Sequence, residues 1–193
     1  MFNEIQIESE MPLSLLFDQK INIRNKLDKQ NFSIARWLVL SNAGGANPCA
    51  AYIDMNTLDK NKLIIDQTLY WYLAESEDEA LFVVGILNSA TLSAAISDFQ
   101  PQGGFGARHI HTIPYKIIPQ FDADDDSHRE VVTMTKQIIS EWNGYCNSDK
   151  IGKYILPNSG SLNSRRRKLQ TALKTMPSYK KYEEACASIL CVE

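Results

Sequence analysis

The spacing of apolar and polar positions changes several times along the chain, and each change marks an expected element. Residues 1–33 are poorly patterned: an apolar patch from Pro12 to Phe17 precedes a charged stretch from Asp18 to Gln30, which reads as a strand or short helix and then a surface loop. Ile34 to Leu40 (IARWLVL) is β-branched and apolar enough for a largely buried strand. Ser41 to Gly45 is turn chemistry, and Cys49–Asp54, Lys62–Asp66 and Thr68–Leu73 follow as three further expected strands. Ser76-Glu77-Asp78-Glu79 is a capping box: Ser76 can accept from the amide of Glu79, and Glu79 can reach back to the amide of Ser76. The helix it starts is apolar through Leu87, so most of its faces should be buried. A second helical piece carries the chain from Asn88-Ser89 to Phe99, ahead of a glycine-rich, hairpin-like loop from Gln100 to Gly106 and a Pro-bounded strand from Ile113 to Pro119. A second capping box, Ser127 to Glu130, predicts a helix with Val131, Thr135, Ile138 and Trp142 on one face and a stop at Gly144. A linker over 145–163 and two short helices, 164–175 and 179–190, divided at Met176-Pro177, complete the pattern.

The expected fold is α+β: a small mixed β-sheet packed with helices over residues 1–145, then a basic helical C-terminal tail over 146–193. A chain of 193 residues can bury a real core. The net charge of −3 argues against indiscriminate adhesion to nucleic acid, yet it is unevenly spread. Between Lys150 and Tyr182 there are nine Lys or Arg and no Asp or Glu, centred on Arg165, Arg166, Arg167 and Lys168. Such a stretch is either a solvated helix face or a surface for the phosphates of DNA or RNA. Neither a membrane-length apolar run nor a signal-peptide pattern is present, so a cytoplasmic location and no membrane partner are expected. Cys49, Cys146, Cys186 and Cys191 are too widely spaced for a zinc knuckle and read as reduced, packed thiols.

The segment Gln100-Pro101-Gln102-Gly103-Gly104-Phe105-Gly106-Ala107-Arg108 carries the most local information. Gly103, Gly104 and Gly106 let backbone amides approach a ligand, Arg108 offers a planar fork for phosphate or guanine, and Gln100 and Gln102 suit base edges. A tight turn that simply needs glycine is the plainer reading. No Lys-Ser/Thr follows, as a phosphate-binding loop would need, and a strand rather than a helix is expected next. His109 and His111, two apart, would share one strand face about 7 Å apart. They could orient the loop, contact phosphate, or join His128 or an aspartate of 122–126 in a metal-dependent nuclease site. Asn47-Pro48-Cys49-Ala50 lacks the second proline and the aromatic ring that amino-group methylation of a flipped base would need, so no catalytic residue and no metal site is assigned.

Taken together, Asp66-Gln67-Thr68-Leu69-Tyr70, Glu79-Ala80-Leu81, Gly85-Ile86-Leu87-Asn88-Ser89, Gln100-Pro101-Gln102-Gly103 and Phe105 to His111 resemble the C-terminal region of large bacterial adenine-specific DNA methyltransferases of restriction-modification systems. The Gly85–Ser89 helix end followed by a glycine-rich loop is also similar to target-recognition domains of type I specificity subunits. The resemblance spans roughly residues 36–143. It implies a DNA sequence-reading module without catalysis of its own, double-stranded DNA as partner, and a methylase or endonuclease subunit as a second partner. S-adenosylmethionine would then belong to a methylase partner or to a preceding region, the present chain being a segment of a longer protein or a stand-alone remnant. The loop with Gly103, Gly104, Gly106 and Arg108 would read sequence together with Gln100 and Gln102, His109 and His111 would support it, and Arg165 to Lys168 would hold phosphates. The rival readings are the nuclease and a protein-docking module that uses the apolar 81–87 helix or the basic tail.

Overall fold

A computed structural model describes residues 30, 32, 36–42, 48–59, 63–65, 69–97, 102–103, 106–107, 116–146 and 162–190. Its three-stranded sheet has the order β2-β1-β3, with β1 at Trp37–Asn42, β2 at Ala50–Asp54 and β3 at Leu69–Ala74. Both pairings are antiparallel, Val39 standing opposite Tyr52 on one side and Tyr72 on the other. The α+β class is therefore observed, and this sheet is antiparallel rather than mixed. Its central strand explains the unbroken apolar run that β1 shows in sequence. Trp37 and Val39 face the main helical core, while Leu38 and Leu40 face a smaller cluster with Phe32, Met55 and Ile65. A strand covered on both faces has no polar side to alternate with.

Asn42 closes the β1–β2 connection: its amide donates to the Cys49 carbonyl at 3.1 Å and its Oδ1 accepts from the Cys49 amide at 2.6 Å. The strand expected at Lys62–Asp66 is not one in its described part. Leu63–Ile65 lacks regular structure, and Ile65 is held instead by the Gln30 side chain, which donates to its carbonyl at 2.6 Å and accepts from its amide at 2.9 Å. An amide side chain does here what a ladder partner would have done.

Helix α1, Glu77–Asn88, starts where the capping box placed it. Ser76 Oγ accepts from the Glu79 amide at 3.1 Å, but the reciprocal bond differs: Glu79 accepts from the Glu75 amide at 2.7 Å and from the Tyr72 hydroxyl. Burial, and then the Glu79 carboxylate, push the Tyr72 phenol up to about 12. Leu81, Phe82, Val84, Ile86 and Leu87 are all buried, so the apolar 81–87 face is interior and not a docking surface. Helix α2, Ala90–Ser97, leaves α1 at a bend of 55°, and no single helix among the described residues is long and apolar enough to cross a membrane.

A two-stranded ribbon follows, β4 at Gln102–Gly103 and β5 at Gly106–Ala107, paired antiparallel with Gly103 opposite Gly106. The Pro-bounded strand expected at Ile113–Pro119 is corrected in its described part, where Lys116 and Ile117 are helical. Helix α3, Asp126–Cys146, begins earlier and ends later than expected. Its cap is Asp125, whose Oδ1 accepts from the Ser127 amide at 2.7 Å and the His128 amide at 3.3 Å; those bonds hold the Asp125 carboxyl below its ordinary range. Gly144 lies inside the helix with open space around it. Nothing there compels a stop.

Helices α4, Leu162–Leu173, and α5, Tyr179–Leu190, are the two expected at the end of the chain. Helix α5 packs against α3 and α2. Its Tyr182, Ala185 and Cys186, spaced three and four apart along one face, join the main core.

Candidate functional site

The Gly85–Ser89 segment serves the architecture first. An added Cβ at Gly85 would sit 2.1 Å from Thr135 Oγ1, so glycine is what lets α1 and α3 cross this closely. Asn88 holds the edge of β2 with two bonds: its Oδ1 accepts from the Ala50 amide and its Nδ2 donates to the Ala50 carbonyl, both at 2.8 Å. Ser89 caps α2, its hydroxyl accepting from the Leu92 amide at 3.0 Å. The remaining first-turn donors of α2 go to a residue far along the chain, the Glu183 carboxylate accepting from the Ala90 amide at 2.9 Å and the Thr91 amide at 3.0 Å. Every amide at this helix start is thereby satisfied from within the protein.

Two clefts open around these residues. The first, about 480 Å³, lies between β2, α1, α3, α4 and α5 and is walled mainly by apolar and aromatic side chains, Tyr52, Trp142, Leu173 and Tyr179 among them. Its strongest polar groups are already committed. Asn88 is spent on Ala50, and the Tyr182 hydroxyl donates to the Gly85 carbonyl. It has room for an apolar guest, and among its described lining residues there is no Asp, Glu, His or Lys to act as acid or base beside the Cys49 thiol. The second cleft, about 360 Å³, shares Asn88, Gln170, Leu173 and Tyr179 with the first. Arg167 and Lys174 stand on its rim with Thr171 and Ser93.

The expected site residues fall as follows. Gln102, Gly103 and Gly106 are on the β4–β5 ribbon, of which the backbone is described; Gln100, Gly104, Arg108, His109 and His111 lie outside the described residues. Arg165 is half-buried, and its Nε has no hydrogen-bond partner among the described residues. Arg166 is in α4, and Arg167 and Lys168 are exposed. At about 100° per residue, Arg165 and Arg167 stand roughly 160° apart around the helix, so the four cations do not share a face. Lys174 and Gln170 were not singled out in sequence. The signal that finds them is helical spacing, since positions three, four and seven beyond Arg167 are Gln170, Thr171 and Lys174.

His128 is corrected as a metal-site member. It is buried, its ring 4.6 Å from that of Phe82 and 6.1 Å from that of Phe121, and its Nδ1 accepts from the Asp122 amide at 2.9 Å. An accepting Nδ1 leaves the proton on Nε2 and makes this a packed core imidazole. Among the described residues no three His, Cys, Asp or Glu are grouped to hold a metal ion.

The cysteines differ sharply in environment. Cys186 is wholly buried, and burial followed by the Glu183 charge pushes its thiol up to about 12; Cys49 is exposed. Because the thiolate is the reactive form, iodoacetamide on the native protein at neutral pH should alkylate Cys49 and spare Cys186 until denaturant is added. Peptide mass mapping checks this, and equal labelling of the two would contradict the packing of α5.

No family model matches the chain, and no curated protein matches it. Among solved structures it is similar to the Type IIL restriction-modification enzyme MmeI, determined in complex with DNA, at 14% identity and a TM-score of 0.47. That similarity covers 98% of this chain and 25% of the enzyme, so the chain spans about a quarter of the length of the protein it matches.

Proposed function

We propose that the chain is a DNA sequence-recognition module of a restriction-modification type adenine-specific methyltransferase, with no catalysis of its own. The carrying observation is a division of labour within one chain. A two-stranded antiparallel ribbon with only residues 104 and 105 between its strands stands immediately before Arg108. A helix with exposed Arg167 and Lys168, drawn from a stretch without acids, stands elsewhere on the same protein. The major groove admits a two-stranded ribbon, where glutamine and arginine can read base edges, while basic side chains on phosphates fix register without reading sequence. His109 and His111 support the ribbon in this reading. S-adenosylmethionine and the transfer chemistry belong to a methylase partner or region, and a cytoplasmic location is part of the same proposal.

Selection of the purified chain on a randomised duplex library, followed by salt titration, tests it. An enriched motif is expected. Arg108→Ala should weaken binding to that motif by about 1–3 kcal/mol and leave binding to unrelated duplexes unchanged. Equal losses on all sequences would remove Arg108 as a reader, and an absence of enrichment would reduce the chain to a DNA-holding protein. The protein-docking alternative has one observation in its favour, the exposure of Trp71 and Tyr72 on the edge strand β3. A tight protein complex without any DNA affinity would select it.

A further inference from the structure

We infer that the cleft between α2 and α4 is a seat for the phosphodiester backbone of duplex DNA, with Arg167 and Lys174 as its cations; this rests on the DNA-recognition reading above. The cleft is lined by Ser89, Ser93, Arg167, Gln170, Thr171 and Lys174, and no Asp or Glu is among its described lining residues. Arg167 and Lys174 are exposed, and neither makes an ion pair with a described carboxylate. Lys180, by contrast, lies 3.6 Å from Glu184.

The nearest carboxylate on α5 is already occupied. Glu183 accepts from the Ala90 and Thr91 amides and from the Thr91 hydroxyl at 2.9 Å, which sets its charge against the start of α2. The same bonds close that helix end to an outside anion, so the attraction in this cleft comes from side chains and not from backbone donors. Helical spacing puts Arg167 and Gln170 on one face of α4. Lys174, the residue after its last, continues the turn, its amide donating to the Gln170 carbonyl at 3.4 Å, and stands about 10.5 Å beyond Arg167 along the axis. That separation lets the two side chains reach different phosphates of one DNA strand. Between them Gln170 is exposed, with an amide able to donate to a phosphate oxygen.

The basic cluster in the sequence is thereby split by function. Arg167 faces this cleft, whereas Arg165, on the other side of the helix, is half-buried. The cleft lies beside the apolar one, sharing Leu173 and Tyr179 with it, so a strand seated there has an apolar wall along one side.

The test is fluorescence anisotropy of the full chain on a labelled duplex over a range of salt concentrations. It compares the wild type with Arg167→Ala/Lys174→Ala, with the charge-preserving Arg167→Lys/Lys174→Arg, and with Lys180→Ala/Lys181→Ala. All six substitutions are at exposed positions, and circular dichroism confirms that each variant keeps the fold. Loss of both cleft cations should weaken binding about tenfold or more near 0.1 M salt. It should also flatten the slope of log K against log salt by roughly two, one for each phosphate no longer neutralised. The charge-preserving pair should keep the wild-type slope, and the Lys180/Lys181 pair should change it less than the cleft pair does. A wild-type slope in Arg167→Ala/Lys174→Ala would overturn the seat while leaving DNA recognition standing. Equal flattening by the Lys180/Lys181 pair would also overturn it, since the effect would be one of net charge alone. A wild type that binds no duplex at any salt would overturn the recognition reading itself, and the seat with it.

Discussion

Gly85→Ala is expected to destabilise the protein, against the direction that helix propensity alone would set. In a helix interior, replacing glycine by alanine is worth about 1 kcal/mol in favour of the variant. Position 85 is inside α1, so that gain applies. The new Cβ, however, would lie 2.1 Å from Thr135 Oγ1, 3.3 Å from Thr135 Cβ and 3.4 Å from Val131 Cγ1. Thr135 and Val131 are both buried and both branched at Cβ, so neither can rotate away cheaply. The helices must separate, and overpacking of this kind costs about 1–3 kcal/mol or more. Separation also disturbs the bond from the Tyr182 hydroxyl to the Gly85 carbonyl, which ties α5 to α1. The net loss should be about 1–3 kcal/mol, a fall in melting temperature of roughly 2–12 °C for a domain of this size. Thr135→Ala in the same chain removes the atom that collides. It also removes a buried hydroxyl that has no hydrogen-bond partner among the described residues. The double variant should therefore recover part of the loss, with a coupling of about 0.5–3 kcal/mol in a double-mutant cycle. A Gly85→Ala variant as stable as wild type would show that the α1–α3 crossing is wider than described.

That glycine shows how far sequence reading reaches. Gly85-Ile86-Leu87-Asn88-Ser89 stands out as a motif, and each of its polar or small members has a physical use. Close approach falls to Gly85, the hold on β2 to Asn88 and the cap of α2 to Ser89, and none of these partners is near in sequence except the last. The Ser76 cap was legible because its bond spans three residues. The start of α3 was not, since Asp125 and Ser127 are both good cap residues and only the bonds to the Ser127 and His128 amides decide between them. Leu63–Ile65 has strand composition, but a strand needs a ladder, and the described sheet ends at β2 and β3. The run Arg165 to Lys168 showed where positive charge is dense without showing which side of a helix would carry it. Lys174, seven residues on, is placed beside Arg167 by the helical period rather than by composition.

A chain ending at residue 175 is expected to lose cooperative folding altogether, although composition makes the C-terminal segment look like an appendage. Removal of residues 176–193 takes Met176, Tyr182, Ala185 and Cys186 out of the main core, together with the partly buried Tyr179, Ile189 and Leu190. Burial of a large apolar side chain is worth about 1.5–3 kcal/mol. Four or five such groups therefore amount to roughly 6–15 kcal/mol, against a total stability of about 5–15 kcal/mol for an ordinary domain. The truncation also uncovers the faces of α2 and α3 that α5 packs against. Glu183 is removed from the start of α2, and Glu141 of α3 loses Ser178, which donates to it from its hydroxyl at 2.5 Å and its amide at 3.2 Å. Urea denaturation followed by near-ultraviolet circular dichroism should show a sigmoidal transition for the full chain and a shallow, featureless one for the truncated chain. Glu183→Gln separates the two contributions of α5. It keeps the apolar face, removes the charge at the α2 terminus, and should lower stability by about 1–2 kcal/mol while preserving a cooperative transition. Should the truncated chain unfold at the wild-type midpoint, residues 1–145 would be an autonomous domain and α5 a true tail. The burial of Tyr182 and Cys186 argues that the last helix of the chain is instead a wall of its core.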